Sequence, residues 1–220
     1  MTKDTTRKST RKRLIEAAGE LFAEKGFKET TVRDISERAG ANLASVNYHF
    51  RDKEHLYEDV ILHILERMRD DFPVDKDFDK APSAESRLRT MVRNLLYRFL
   101  DPARPAWQGI LLARERTAPR PVGLSIIHEE IAKTRTILSS IIQDLLGPAA
   151  DVATIELCDA SVMGQIMSQA MLHSPQAPPM LKKGVATTDE IERLARHITD
   201  FSLAGIRQMR KAAEKRRNVK

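Results

Sequence analysis

Between Gly40 and Phe50 the chain carries hydrogen-bonding side chains at Asn42, Ser45, Asn47, Tyr48 and His49, and no Lys, Arg, Asp or Glu. Amides and hydroxyls of this kind can donate and accept at the edges of base pairs, whereas a guanidinium or ammonium would hold any phosphate. The chemistry available to this run is recognition rather than bond breaking. Other groupings that resemble reactive centres are incomplete. His128-Glu129-Glu130-Ile131-Ala132 opens like a zinc-protease helix, but Ala132 stands where the second histidine is required. Asp75, Asp77 and Asp79 open like a calcium loop, but Lys80 replaces the glycine and Ser86 the bidentate glutamate. The single cysteine, Cys158, sits in an apolar helical stretch with no histidine beside it in sequence. One cysteine permits neither an intrachain disulfide nor a multi-cysteine metal site. No enzymatic activity, metal or cofactor is expected.

The elements that must position Asn42–His49 are helical. Thr30–Phe50 reads as a helix, a tight turn at Gly40 and a second short helix. Two short helices at a steep angle need a small residue at the turn and small apolar residues, here Ala39 and Ala44, where they cross. Thr31 with Asp34 three residues on predicts a capping box, Val32, Ile35 and Ala39 a buried stripe, and Asn42 the next N-cap. Val46 and Phe50 close the core, leaving Asn42, Leu43, Ser45, Asn47, Tyr48 and His49 outward. Ahead of this unit a helix is predicted over 7–25, with Leu14, Ala17, Ala18, Leu21 and Phe22 on one face. Gly26 ends it as a left-handed cap, and Phe27 folds back. Helical period continues in nearly every later segment: about 52–71, 83–100, 107–116, 123–146, 152–173 and 188–213. A charged linker occupies 72–82, and a proline-containing turn Thr117–Val122. No run alternates like a strand. The expected fold is all-α, with a DNA-binding domain at 1–52 and a larger helical domain at 53–220.

The stretch GFKETTVRDISERAGANLASVNYHFRDKEHLY resembles the DNA-binding domain of the TetR family of one-component transcriptional regulators. The resemblance covers about Leu14–Tyr57. Carried over residue by residue, it implies that Thr30 and Thr31 anchor a backbone phosphate at a helix N-terminus. It also implies that Asn42, Leu43, Ser45 and Asn47 face the major groove, that Tyr48 and His49 reach sugar-phosphate, and that Lys53 binds a further phosphate. Asn47 departs from the tyrosine or aliphatic residue many members carry there, which leaves base preference open. The family implies a homodimer on an inverted-repeat operator, repression as the default, and release by a small-molecule effector. An architectural DNA-binding protein without an effector is the alternative, although about 170 residues beyond the head exceed what dimerisation alone requires.

The remainder resembles the larger TetR-family domain in length and helix order, and the segment from Trp107 to Gly147 is similar to the CecR-like subgroup. The helix over 152–173 is small or apolar almost all round, so more than one side should be buried. Leu157, Ser161, Gly164 and Ser168 form one stripe, and the last helix offers Leu194, Ile198 and Phe201. Two such helices from each subunit would make a four-helix interface. Trp107, Leu111, Arg114, His128, Met163, Met167 and Met171 are candidate lining for an effector cavity, since methionines adapt to varied ligands. Methionines at helical spacing are also ordinary core, and His128 and Arg114 fit a surface position equally well.

Charge distribution agrees with a polyanionic partner. Residues 1–13 carry a net +5, residues 207–220 a net +6, and the body between them −5. The N-terminal arm with Arg7, Lys8, Arg11, Lys12 and Arg13 lies beside the reading unit. The basic C-terminal end suits either DNA or an anionic membrane, and reads most simply as a solvated helix terminus. No apolar run approaches the roughly 18–20 residues that span a bilayer, and no apolar segment of secretory type follows the basic start. A cytoplasmic protein is expected.

Overall fold

The computed structural model describes residues 3–117, 120–174 and 177–218. Among them the regular elements are α-helices and one 3-10 turn at Phe78–Lys80, with no strand. The helices are α1 (Lys3–Lys25), α2 (Val32–Arg38), α3 (Leu43–Phe50), α4 (Lys53–Asp71), α5 (Ala84–Leu100), α6 (Ala106–Thr117), α7 (Pro121–Leu146), α8 (Val152–Leu172) and α9 (Thr188–Asn218). Of the proline-containing turn expected at Thr117–Val122, residues 118–119 lie outside the described residues, and Pro121 already opens α7. The last helix runs five residues beyond the expected end at Ala213. Nothing between Ala213 and Asn218 breaks a helix, and the basic residues of its last turn suit the negative end of the dipole.

The chain divides into two compact units, Met1–Arg67 with Arg104–Ile127, and Met68–Ala103 with His128–Lys220. The boundary expected at residue 52 falls inside the first unit. The physical reason is burial: Leu56, Val60, Ile61 and Ile64 of α4 are fully withdrawn from solvent, so α4 completes the core of the head.

In the first unit Gly26 takes φ +84° and ends α1, and Phe27 folds back to stack on Phe22 with ring centroids 5.5 Å apart. Tyr57 of α4 meets both rings edge-on, at 5.1 and 5.4 Å. Helix α6 packs along α1, and Gly19 sets how closely. A Cβ at Gly19 would come within 2.3 Å of the Trp107 ring. A glycine in a helix interior costs about 0.5–1 kcal/mol, and the close seating of the indole offsets that cost.

His63 on α4 is half-buried and its Nε2 has no partner among the described residues. Burial and the nearby Arg67 lower its pKa, against the pull of Glu16 and Glu66 and with a small further push from Lys12. The folded pKa therefore lies below the unfolded value of about 6.5, so the unfolded chain binds more protons between the two. Stability from this residue is complete above pH about 6.5 and is lost as pH falls toward the folded value. Melting scans from pH 7.5 to 5 should show this loss in the wild type and a flatter profile in His63→Gln. Parallel profiles would remove His63 as the cause.

In the second unit α5, α8 and α9 pack together around Leu88, Met91, Leu96, Val162, Ile166 and Ile191, all fully buried. Ser83 and Ser86 close a capping box at the start of α5, and Asp151 accepts from the Thr154 amide at the start of α8. The charged linker is tied down by buried polar side chains of α5. The Asn94 amide donates to the Val74 and Lys76 carbonyls at 3.3 and 3.1 Å, and Arg98 Nε donates to the Phe72 carbonyl at 3.0 Å.

Candidate nucleic-acid interface

Helix α3 is held by its two apolar ends of contact. Val46 and Phe50 are buried, α2 packs against it, and Asn42 caps it by accepting from the Ala44 amide at 3.0 Å. Because 3.6 residues make a turn, fixing Val46 and Phe50 inward leaves Asn42, Leu43, Asn47 and Tyr48 exposed, with Ser45 and His49 half-buried at the margins. Tyr48 and His49 pack their rings edge to face at 5.1 Å. The outward surface is uncharged and polar, as expected.

Charges flank this surface and most are paired. Arg38 bridges Glu20 and Glu24 on α1, Arg33 pairs with Glu37, and Lys25 lies 3.5 Å from Asp34. The Arg38 guanidinium holds the Glu24 carboxyl below its ordinary range, and the Thr31 amide does the same for Asp34. Of the basic arm, Arg11 pairs with Asp59 at 2.8 Å and lies over the Phe50 ring. The side chains of Arg7 and Lys8 lie outside the described residues.

Two residues expected at phosphates are placed differently. Thr30 is 0% exposed: its hydroxyl donates to the Gly26 carbonyl at 2.7 Å, with the Leu21 carbonyl at 3.2 Å. That hydroxyl satisfies carbonyls left open at the end of α1, so only Thr31, exposed and capping α2, faces solvent. Lys53 Nζ donates to the carbonyls of Phe27 and Thr30, both at 2.9 Å, with Lys28 O at 3.4 Å, and lies 4.4 Å from the Phe27 ring centroid. Its ammonium holds the turn before α2 against the start of α4.

Sequence reasoning missed a buried polar group in the same unit. Tyr57 and Glu115 are both nearly inaccessible, and the phenol donates to Glu115 Oε1 at 2.5 Å. Burial and the carboxylate raise the Tyr57 pKa, so the phenol keeps its proton. Glu115 Oε2 accepts the Arg120 amide at 3.1 Å, and the Arg120 guanidinium lies 3.6 Å from the Phe27 ring centroid. The partners are 58 positions apart, and no local pattern links them.

Of the residues considered for an interface between subunits, Leu157, Ser161, Gly164 and Ser168 are exposed along α8, and Phe201 is exposed on α9. Ile198 is buried and Leu194 half-buried against the second unit's core. The outward face of α9 at this level instead carries His197, Phe201, Ala204 and Met209. Among the cavity candidates, Trp107 seats on Gly19, Leu111 is buried, and Arg114 donates to the Phe22 carbonyl at 2.6 Å, all in the first unit. In the second unit His128 is exposed, Met163 and Met167 are half-buried, and Met171 is half exposed.

Among the described residues no helix is long and apolar enough to cross a membrane. Residues 14–60 match the bacterial regulatory proteins of the tetR family, and residues 84–206 match the C-terminal domain of the HTH-type transcriptional dual regulator CecR. The HTH-type transcriptional repressor KstR2 of Mycolicibacterium smegmatis is 41% identical over 58 residues, which is 26% of this chain and 28% of that protein. The chain thus matches less than a third of that relative's length. A TetR-like regulator from Rhodococcus sp. RHA1 superposes with a TM-score of 0.65 at 16% identity, over 89% of this chain and 96% of that one. The regulator FadR from Bacillus subtilis, solved in complex with stearoyl-CoA, superposes with a TM-score of 0.64 at 16% identity, over 88% and 97%. With a helix-turn-helix head over one stretch and a CecR-type C-terminal domain over more than half of its length, the chain belongs to the TetR family of bacterial transcriptional regulators.

Proposed function

We propose that this protein is a homodimeric repressor that binds an inverted-repeat operator and leaves it when a small molecule binds. The observation that carries the reading is the outward surface of α3: exposed Asn42, Leu43, Asn47 and Tyr48 with Ser45 at the edge, uncharged, on a helix anchored by Val46 and Phe50. Asn42, Leu43, Ser45 and Asn47 read base edges. Tyr48, His49 and Thr31 contact sugar-phosphate, while Thr30 and Lys53 set the backbone that presents them. Lys53 reaches a phosphate only by giving up one of its carbonyl acceptors.

The exposed stripe Leu157, Ser161, Gly164 and Ser168 on α8, with Phe201 on α9, supports the dimer. A symmetric dimer presents two copies of α3, so half-site centres should lie about one helical turn apart or a multiple of it. An effector is accommodated in the second unit, with Met163 and Met167 as the adaptable lining. That FadR, a chain of the same fold, is solved with stearoyl-CoA supports a ligand-holding role for such a domain. Residues of α4 belong to both units, and the helix contains no Gly or Pro. It is the element by which occupancy would reach the head, with a coupling of about 1–3 kcal/mol giving release of roughly 5- to 150-fold.

Asn47→Ala and Ser45→Ala test the reading. Each should cost about 1–3 kcal/mol on the preferred operator and leave affinity for unrelated duplex nearly unchanged. Fluorescence anisotropy against a set of single-base operator variants measures both. If relative preferences among the variants stay as in the wild type, these side chains do not read bases.

A further inference from the structure

The chain passes from α3 to α4 through one strained residue. Arg51 has φ 69° and ψ −58°, and the Asp52 amide donates across it to the Phe50 carbonyl at 2.8 Å. That combination is the rare, strained form of the γ-turn. An L side chain in this region costs energy that glycine avoids. The surroundings over-determine the turn. The Arg51 amide ends α3 on the Asn47 carbonyl at 3.2 Å, Phe50 is buried, and the Asp52 carboxylate accepts the His55 amide at 2.9 Å. Asp77, the other non-glycine residue with positive φ among those described, is an unlike case. Its φ 66° and ψ 17° fall in the ordinary left-handed well, which Asp tolerates, and its carboxylate is engaged by Lys80.

The Arg51 side chain is exposed. Among the described residues it enters no ion pair, side-chain hydrogen bond or ring contact. Other cations of the first unit are occupied: Lys53 by three carbonyls, Arg11 by Asp59, and Arg38 by Glu20 and Glu24, whereas Lys28, exposed in the turn before α2, is not. Strain that persists at one residue calls for an account of what that residue supplies. Here an unengaged guanidinium stands one residue past the helix that presents Asn47 and Tyr48. We propose that Arg51 is a DNA-backbone contact, its guanidinium binding a phosphate beside the bases that α3 reads. The planar fork of arginine matches phosphate oxygens in a way that lysine does not. Arginine occupies the turn instead of glycine because the phosphate contact outweighs the strain. The inference rests on the DNA-reading function proposed above.

The test compares Arg51→Gly, Arg51→Ala and Arg51→Lys in the full-length protein. Each is titrated, at several salt concentrations, with the inverted repeat recovered by in vitro selection using the wild type and with unrelated duplex of equal length. Melting temperatures are measured in parallel. Arg51→Gly should melt about 2–4 °C above Arg51→Ala, since glycine relieves the strain and alanine keeps it. Both should lose affinity for the two duplexes by the same factor and flatten the salt dependence by about one counterion per subunit. Arg51→Lys should restore the salt slope with only part of the affinity. Wild-type affinity and slope in Arg51→Gly would overturn the inference alone, as would a loss confined to the selected sequence. Arg51→Gly melting below Arg51→Ala would overturn the strain argument. A wild type that binds neither duplex overturns the function proposed above, and this inference with it.

Discussion

Replacing Gly164 with Leu should convert the protein to a monomer and lower its operator affinity by about 10²–10⁴-fold, the avidity lost when two linked half-site contacts become one. Gly164 is exposed on α8, and a Cβ added there would meet nothing within 4 Å. An added Cβ therefore meets no intrachain neighbour, and replacing an exposed helix glycine with leucine should by itself favour the helix by somewhat less than about 1 kcal/mol. Any loss of assembly must come from a surface outside the chain. The glycine lies on one stripe with Leu157, Ser161 and Ser168, and Leu157 leaves 70% of its surface open. On α9, Phe201 leaves 66% open. Apolar surface of this kind favours burial against a second copy at about 25 cal/mol per Å², and small side chains let two helices approach closely. A leucine would hold them apart. Sedimentation velocity at micromolar concentration reads assembly, and the melting temperature confirms that the fold is intact. A variant that stays dimeric would move the interface to another face, and a wild type already monomeric would remove the symmetric reading of the operator.

Removing the Glu115 carboxylate should destabilise the first unit by about 2–4 kcal/mol in Glu115→Ala, with a smaller loss in Glu115→Gln. Glu115 is 3% exposed and Tyr57 is 4% exposed. Alanine at 115 leaves the buried Tyr57 phenol and the half-buried Arg120 amide without their acceptors. Glutamine keeps one acceptor oxygen and removes the charge. A cycle of Tyr57→Phe, Glu115→Gln and the double variant should return a coupling of about 1–3 kcal/mol, which isolates the pair from packing effects. The same residues hold α6 and the turn at Arg120 against Phe27, next to the carbonyls that Lys53 binds. The loss should therefore appear in operator affinity only at temperatures where the head begins to melt. Additive single variants would show that the contact is incidental.

The reading unit was legible because its determinants are local. Capping at Thr31 and Asn42, the left-handed Gly26 and the inward Val46 and Phe50 each depend on residues within about four positions, the reach of one helical turn. The capping box with Asp34, the stacking of Phe27 on Phe22 and the polar outer face of α3 followed from those determinants. The nine helices described and the absence of strands among the described residues were readable from period together with cap and turn residues, except for the starts of α1 and α7 and the end of α9. What periodicity cannot supply is the partner of a given side chain at a distance. The family resemblance sets Thr30 and Lys53 at phosphates, and periodicity could not show their donors turned onto the carbonyls of Leu21, Gly26, Phe27 and Thr30. It could not join Tyr57 to Glu115, or place Trp107 over Gly19, because those pairs meet only when α1, α4 and α6 pack. Leu194 and Ile198 show the same limit at the level of a helix face. Two sides of α9 carry apolar residues at helical spacing, and only packing on α5 and α8 decides that Ile198 turns into the core while Phe201 stays outside. Sequence determined which segments become helices and which side chains of α3 turn outward, since both are set within a turn. Tertiary structure decided which polar side chains are taken up inside the fold, since every buried carbonyl must first find its donor.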